Sequence, residues 1–254
     1  MAITIKSERE IELMAEAGKI LERVHNELEK ALHPGMSTKD IDTLGEKIIR
    51  SYGCIPSFLN YNGYPASICV SVNQEVVHGI PDKHRIIHEG DIVSLDAGVI
   101  YKGYHSDAAR THAVGEVSEE AKKLIQVTKE CFFEGIKYAK AGNHLFDISG
   151  AIGRYAEERG YGVVRDLCGH GIGTALHEAP EIPNYEVGRK GVKLRPGMTL
   201  AIETMINIGT YEVDWLDDDW TVVTRDGSLS AHYENTILIT EGEPRILSLT
   251  CDNE

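Results

Sequence analysis

The sequence predicts an α/β (α+β) protein made of two similar halves, and three observations support this fold class. Segments with helical spacing of apolar residues are followed by short segments rich in β-branched residues. The same order of segments recurs in the second half of the chain at an offset of 107 residues. Hydrophobic residues make up 42% and charged residues 26% of the 254 residues, which is typical of a folded globular protein.

The first half is predicted to begin with two helices. Apolar residues recur at helical spacing from Ile11 to Leu28, and Ser7 forms a capping box with Glu10. The first helix should therefore end in the low thirties, where a Pro-Gly pair breaks it. The second helix is predicted from Thr38 to Tyr52.

The second half is predicted to restart in the same way. One helix should run from Ser118 to Lys140, and another should end near Gly160. The pairs that share the offset are Gly35 and Gly142, Asp40 and Asp147, Ile41 and Ile148, Gly53 and Gly160, Gly90 and Gly197, Leu95 and Ile202, and Asp96 and Glu203. We infer one domain, 1–254, whose halves of about 1–117 and 118–254 are related by a pseudo-two-fold axis with a groove between them.

Five strands are predicted from alternation and β-branched content. They are Ile68–Val72, Ile92–Tyr101, Tyr104–Thr111, Thr199–Ile206 and Thr236–Ile239. The turn signal Lys102-Gly103 joins the second and third of these as a hairpin.

Charge and composition exclude several classes of protein. With 26 basic and 40 acidic residues the net charge is −14, which disfavours a nucleic-acid or anionic-membrane surface. No signal peptide and no apolar segment long enough to cross a bilayer is found, so we expect a cytoplasmic protein without membrane contact. Five scattered cysteines without a CxxC pair predict reduced thiols.

Asp96 and Asp107 are the first candidate metal ligands. Asp96 follows an apolar run in a strand that should be buried, where an unpaired charge is costly. A hairpin turn at Lys102-Gly103 pairs Asp107 near Gly98, which places both carboxylates on one face of the sheet. Two like charges so close repel each other unless a cation lies between them.

Three further residues have similar settings. His170 lies in CGHGIG, Glu203 in the apolar strand TLAIETMI, and Glu234 directly before the apolar run TILI. Four carboxylates and one imidazole suit two divalent ions such as Co, Mn, Fe or Zn. The alternative is a structural network in which an Arg pairs with the carboxylates.

His78 and His177 are candidate catalytic residues because both lie at the ends of apolar segments next to loops. The alternative for each is a local hydrogen bond beside a turn. GHGIG lacks the full dinucleotide-binding spacing, and neither a P-loop nor a GxSxG elbow is present. A covalent hydrolase is therefore not supported.

Five motifs in order resemble the methionine aminopeptidases of the short, type I kind. They are HGIPD, SLDAG with GYHSDAART, CGHGIGTALHE, PGMTLAIET and SAHYENTILIT. The resemblance covers essentially the whole chain and implies the pita-bread fold, in which two α/β halves enclose a metal site on an antiparallel sheet. It also implies removal of the initiator methionine when the second residue is small.

The resemblance assigns roles to the candidate residues. Asp96, Asp107, His170, Glu203 and Glu234 would be metal ligands, with Asp107 and Glu234 bridging two ions. Glu203 would also move a proton, His177 would hydrogen-bond the substrate carbonyl, and His78 would lie near the scissile nitrogen.

The same resemblance implies an apolar pocket for the methionine side chain. Its walls would be Phe58, Tyr61, Tyr64, Cys69, Leu176 and Trp220, together with His78 and His177. Phe58 and Leu176 depart from the commonest bacterial pattern, which has Cys and Phe at these positions. We expect a changed pocket shape that still accepts methionine.

Two rival functions share the fold. An Xaa-Pro aminopeptidase or prolidase has the same ligand set but usually carries an additional N-terminal domain, and a non-catalytic binding protein would have lost ligands. Glu203 follows His177 by 26 positions, which leaves no room for a large type II insertion. We expect N-terminal methionyl peptides and nascent chains as partners, with a ribosome contact left open, and a monomer.

Overall fold

The structure is a computed structural model that describes residues 2–249. The helices are α1 (Glu8–Ala31), α2 (Thr38–Ser51), α3 (Glu119–Ile136) and α4 (Leu145–Glu157), with a short 3₁₀ helix at Tyr61–Gly63. The strands are β1 (Ile55–Pro56), β2 (Ile68–Val72), β3 (Glu75–Val77), β4 (Ile92–Tyr101), β5 (Tyr104–Ala113), β6 (Gly162–Val163), β7 (Gly169–Gly171), β8 (Glu178–Ile182), β9 (Thr199–Asn207), β10 (Val213–Trp215), β11 (Val222–Thr224), β12 (Ser230–Leu238) and β13 (Arg245–Ile246).

A central antiparallel sheet joins the two halves. Its main path runs β1-β4-β5-β12-β9-β7-β8, while β2 pairs with β4, β6 with β9 and β13 with β12. The halves meet where β5 pairs with β12. A separate small sheet, β10-β11-β3, lies beside it.

The helices cover one face of the central sheet. Helix α1 packs against β4 and β5, and α3 packs against β9 and β12. Each half has its own apolar core beneath its helices, with Leu21 and Leu95 in the first and Phe132 and Ile202 in the second. The opposite face of the sheet is left for a site.

The pseudo-two-fold relation inferred from the sequence is visible in the backbone. Gly35 and Gly142 have φ angles of 95° and 94°. Isolated bridges join residue 37 to 86 and residue 144 to 193, so both partners shift by the same offset. The offset holds as far as β9 and then ends, because residues 208–229 with β10 and β11 are inserted before β12.

Several predicted boundaries were wrong. Helix α3 ends at Ile136 and not at Lys140, because the following residues form turns in which Tyr138 N–H donates to Gly135 O. Strand β12 begins at Ser230 and not at Thr236, because the segment SAHYEN before Thr236 also forms part of the strand. The short strands β1, β3, β6, β7, β8, β10, β11 and β13 were not predicted.

The predicted reduced state of the thiols agrees with the described part of the chain. Cys54, Cys69, Cys131 and Cys168 are free thiols, and Cys251 lies outside the described residues.

Between residues 2 and 249, no helix has the length and apolar character that crossing a membrane requires.

Candidate metal centre

The register of the central sheet places four carboxylates on one face. Asp107 on β5 lies opposite Gly98, two residues beyond Asp96 on β4, so both side chains point the same way. On β12, Glu234 pairs with Ala109 and with Glu203 of β9. The hairpin and face predicted for Asp96 and Asp107 are therefore confirmed.

His170 joins this group from β7. It pairs with Ala201, two residues before Glu203, and therefore faces the same side of the sheet. Its Nδ1 lies 2.9 Å from the backbone oxygen of Gly171. With Nδ1–H donating there, Nε2 carries the free lone pair and lies 3.9 Å from Asp107 Oδ2 and 3.7 Å from Glu203 Oε1.

His170 is closely surrounded although a glycine lies on each side of it in the sequence. The ring is buried and lies edge-on to His177, with the ring centroids 4.2 Å apart. A Cβ at Gly171 would lie 2.2 Å from the backbone oxygen of Ala179. This glycine therefore permits close approach of β7 and β8.

Among the described residues, the four carboxylates have no Lys or Arg ion partner to balance their negative charge. Burial raises the pKa of Asp96 to about 7. Burial, reinforced by the neighbouring carboxylates, also raises the pKa values of Asp107, Glu203 and Glu234 well above their usual range. Burial lowers the pKa of His170 to about 3, so its imidazole is neutral.

The protein itself does not satisfy these oxygens. Asp96 Oδ1, Asp107 Oδ1 and Glu234 Oε1 are buried and have no hydrogen-bond partner among residues 2–249. In the same part of the chain, no Lys or Arg forms an ion pair with the four carboxylates. The adjacent Arg110 instead donates to the backbone oxygens of Ala109 and Glu234.

The alternative of an Arg-partnered structural network is therefore wrong for these residues. One potential ligand atom from each of Asp107, His170 and Glu234 lies within 4.8 Å of the others. Oxygen-rich ligands with one or more imidazoles suit divalent cations, and a cation would supply the missing counter-charge. The cluster fits a metal ion.

His78 and His177 both line the cavity above the carboxylates. His78 directly follows β3 with φ of 60°, a conformation that non-glycine residues adopt mainly where the surrounding structure requires it. Burial lowers the pKa of His78 to about 4 and also lowers that of His177. Both rings are therefore neutral at neutral pH.

Tyr61 fixes the orientation of His177. Its hydroxyl lies 2.7 Å from His177 Nδ1, and the two rings are edge-on with centroids 5.2 Å apart. When Tyr61 donates this hydrogen bond, the neutral imidazole carries its proton on Nε2. That N–H can then donate to a substrate carbonyl.

All eight residues expected to form the methionine pocket line the same cavity, which has a volume of about 140 Å³. Trp220 lies edge-on to Tyr64 at 5.1 Å and to His78 at 6.2 Å between ring centroids. Tyr64 also donates to the backbone oxygen of Gly79 at 2.9 Å, which satisfies its buried hydroxyl. The pocket wall is therefore aromatic, and its buried hydroxyl has a hydrogen-bond partner.

The two positions that depart from the commonest bacterial pattern are buried in the pocket wall. Phe58 and Leu176 expose 7% and 2% of their surface. Both belong to an apolar cluster with Cys69 and Tyr64. Phe58 and Leu176 therefore line the cavity and at the same time pack in the apolar core.

Two residues near the site were not among those predicted from the sequence. Asn62 lines the cavity with a left-handed backbone, φ 49°. His232 lies two residues before Glu234 on β12, with Nε2 at 3.9 Å from Glu203 Oε2 and from Glu234 Oε2. Recognising SAHYEN as strand would have placed His232 on the face of Glu234.

Known proteins resemble this chain along nearly its full length. A curated methionine aminopeptidase of Clostridium acetobutylicum is 58% identical over 247 residues, which are 97% of this chain and 99% of the relative. Methionine aminopeptidase 1 of Bacillus subtilis is 50% identical over 239 residues, covering 94% of this chain and 96% of the relative.

Solved structures share the fold. A methionine aminopeptidase from Thermotoga maritima superposes with a TM-score of 0.96 at 46% identity, covering 98% of this chain and all of the other. An Xaa-Pro dipeptidase from Bacillus anthracis has a TM-score of 0.78 at 27% identity, covering 98% of this chain but only 63% of the other. The pita-bread fold expected from the sequence is confirmed.

The model of metallopeptidase family M24 matches residues 12–241, a span that contains all five candidate ligands. Together with the identities above, this match establishes the family. The chain belongs to metallopeptidase family M24 and, within it, to the methionine aminopeptidases.

Proposed function

We propose that the protein removes the N-terminal methionine from peptides and nascent proteins whose second residue is small. One observation supports this most strongly. Buried carboxylates with unpaired oxygens and a neutral imidazole lie at the base of an aromatic cavity of about 140 Å³. This arrangement combines a site for divalent ions with a pocket for one apolar side chain.

Five residues would hold the metal ions: Asp96, Asp107, His170, Glu203 and Glu234. Asp107 on β5 and Glu234 on β12 lie where the two halves of the sheet meet, so both would hold the ions between the halves. Bound divalent ions would supply an activated water as nucleophile and polarise the scissile carbonyl. The protein residues must then bind the substrate and move protons.

Three residues would carry those steps. His177 Nε2–H is oriented by Tyr61 and would donate to the carbonyl oxygen, stabilising the negative charge that develops there. His78 would hydrogen-bond near the scissile nitrogen. Glu203, which lines the same cavity, would carry the proton towards the leaving amine.

The cavity would hold the methionine side chain. A thioether packs favourably against aromatic rings, and Tyr61, Tyr64 and Trp220 provide them. Phe58, Cys69 and Leu176 complete the wall. The bulk of Phe58 should shape the cavity without closing it.

The same proposal extends to the metal, the substrates, the location and the oligomeric state. Co, Mn, Fe or Zn would suit a carboxylate-rich site with an imidazole. Nascent chains would be the substrates in the cytoplasm, and the protein would act as a monomer that meets them at the ribosome.

An Xaa-Pro aminopeptidase is the rival function with the same ligand set. The Xaa-Pro dipeptidase compared above is 27% identical to this chain, whereas the Thermotoga maritima methionine aminopeptidase is 46% identical. That difference favours the methionine-specific function.

A substrate panel tests the proposal. Purified protein, loaded separately with Mn, Fe, Co and Zn, is incubated with Met-Ala-Ser, Leu-Ala-Ser, Met-Leu-Ser and Ala-Pro-Ser peptides. We expect free amino acid only from Met-Ala-Ser with at least one metal. Faster cleavage of Ala-Pro-Ser would establish the rival function, and no cleavage by folded, metal-loaded protein would overturn both.

A further inference from the structure

A second imidazole faces the metal centre. His232 lies on β12 two residues before Glu234, so both side chains point to the same face of the sheet. The side chain of His232 is 2% exposed. It therefore cannot be a solvated surface histidine.

Both ring nitrogens of His232 lack a partner. Neither Nδ1 nor Nε2 forms a hydrogen bond with any group in residues 2–249. A buried polar group without a partner destabilises the folded protein, so a ligand that binds it would relieve that cost. Nε2 points towards carboxylate oxygens of Glu203 and Glu234, at 3.9 Å from each.

These distances match those of the first imidazole. His170 Nε2 lies 3.7 Å from Glu203 Oε1 and 3.9 Å from Asp107 Oδ2. Two atoms that bind one ion at about 2.1 Å lie at most about 4.2 Å apart, so all four separations permit shared coordination. They are too long for direct hydrogen bonds.

Glu203 is thus flanked by two imidazoles. Its Oε1 faces His170 and its Oε2 faces His232. The backbone also fixes His232 in place, because Thr111 Oγ1 donates to its carbonyl oxygen at 2.9 Å and accepts from its N–H at 2.8 Å.

We propose that Nε2 of His232 is a sixth protein ligand of the metal centre, in addition to the five residues described above. This inference rests on the proposed metal site and deepens it. A second imidazole makes the site softer and favours Fe, Co or Zn over Mn relative to a site with one imidazole.

Cobalt-substituted protein provides a readout independent of activity. The free N–H of each imidazole bound to paramagnetic Co²⁺ gives a proton NMR signal that is shifted far downfield and disappears in D₂O. At full loading, the wild-type protein should show two such signals. The His232→Gln variant should show one, and should bind Co²⁺ about tenfold or more weakly in chelator competition.

His25→Gln is the matched control. His25 is also a buried histidine, but it lies on α1, which packs against β4 and β5 on the helical side of the sheet, and its Nε2 lies 2.9 Å from the backbone oxygen of Ala108. This variant should keep both signals. Circular dichroism verifies folding, and the count in the wild-type protein tests the inference even if a variant fails to fold.

The outcomes separate the two proposals. One shifted signal in the wild-type protein, retained in His232→Gln, would overturn the role of His232 and leave the metal centre intact. No shifted signal and no Co²⁺ binding by folded protein would overturn the metal centre itself, and with it the proposed function.

Discussion

At the residue scale, the site depends on carboxylates that the folded chain buries without counter-charge. Asp96 illustrates the cost, because burial raises its pKa to about 7 from the usual 3.8. A carboxyl with a raised pKa in the folded state stabilises the protein at low pH. That stability is lost as the pH rises through the folded pKa.

Asp96→Asn should therefore stabilise the metal-free protein. The gain should reach a few kcal/mol at pH 8 and shrink as the pH falls towards 4, because Asn stays neutral throughout. Urea unfolding in the presence of chelator measures it. An equal or larger gain at pH 4 would contradict the interpretation.

Asp40→Asn is the contrasting control. Hydrogen bonds from Ser37 lower the pKa of Asp40, so its carboxylate stabilises the protein above the unfolded pKa. This variant should be destabilised at pH 8, opposite to Asp96→Asn.

His177→Ala tests the proposed electrophilic role. His177 is neutral and oriented by Tyr61, so losing its N–H should lower kcat by about 10²–10³ while metal content stays unchanged. Steady-state kinetics on Met-Ala-Ser and metal analysis measure both quantities. The exposed His84→Ala is the control and should keep full turnover. Unchanged kcat in His177→Ala would remove that role.

At the element scale, the turns that separate paired helices require a left-handed residue. Gly142 has φ of 94° and its N–H donates to Leu194 O at 3.0 Å. A Cβ there would meet nothing within 4 Å, so only the backbone conformation opposes a side chain.

Gly142→Ala should therefore cost about 1–2 kcal/mol in the free energy of unfolding. The control is Gly242→Ala, which also has nothing within 4 Å of its Cβ and does not have a positive φ. Urea titration of both variants measures the difference. Equal stability of the two variants would show that the φ angle of Gly142 carries no energetic cost.

Periodicity predicted the long elements well and the short ones poorly. Helices α1 and α2 and the β4-β5 hairpin follow clear apolar spacing with caps and a turn signal. Strands such as β7, with three residues, are too short to show a period. His232 was missed because only Ala231 and Tyr233 give an apolar signal in the first part of β12, while the other residues there are polar.

At the scale of the whole molecule, the proposed metal centre takes residues from both halves. Asp96 and Asp107 come from the first half, and His170, Glu203 and Glu234 from the second. The sheet is continuous across the boundary through β5 and β12. The internal repeat predicted a site between two similar halves. It did not predict β10 and β11, because the segment that contains them has no counterpart in the first half.

The continuous sheet should make the chain unfold as one unit. We expect one transition in urea, with coincident circular dichroism and tryptophan fluorescence, and a midpoint that rises when metal is added. Two separated transitions would show that the halves fold independently and would contradict the single-domain prediction.

The most direct test of the central claim is metal-dependent release of methionine. Protein stripped with chelator is titrated with Mn, Fe, Co and Zn in the presence of Met-Ala-Ser, beside the Asp107→Asn variant. We expect no release from stripped protein, restored release from the wild-type protein with at least one metal, and little release from Asp107→Asn at any metal concentration. Full release from stripped protein, or from Asp107→Asn without added metal, would contradict the claim that these buried carboxylates hold the ions on which the activity depends.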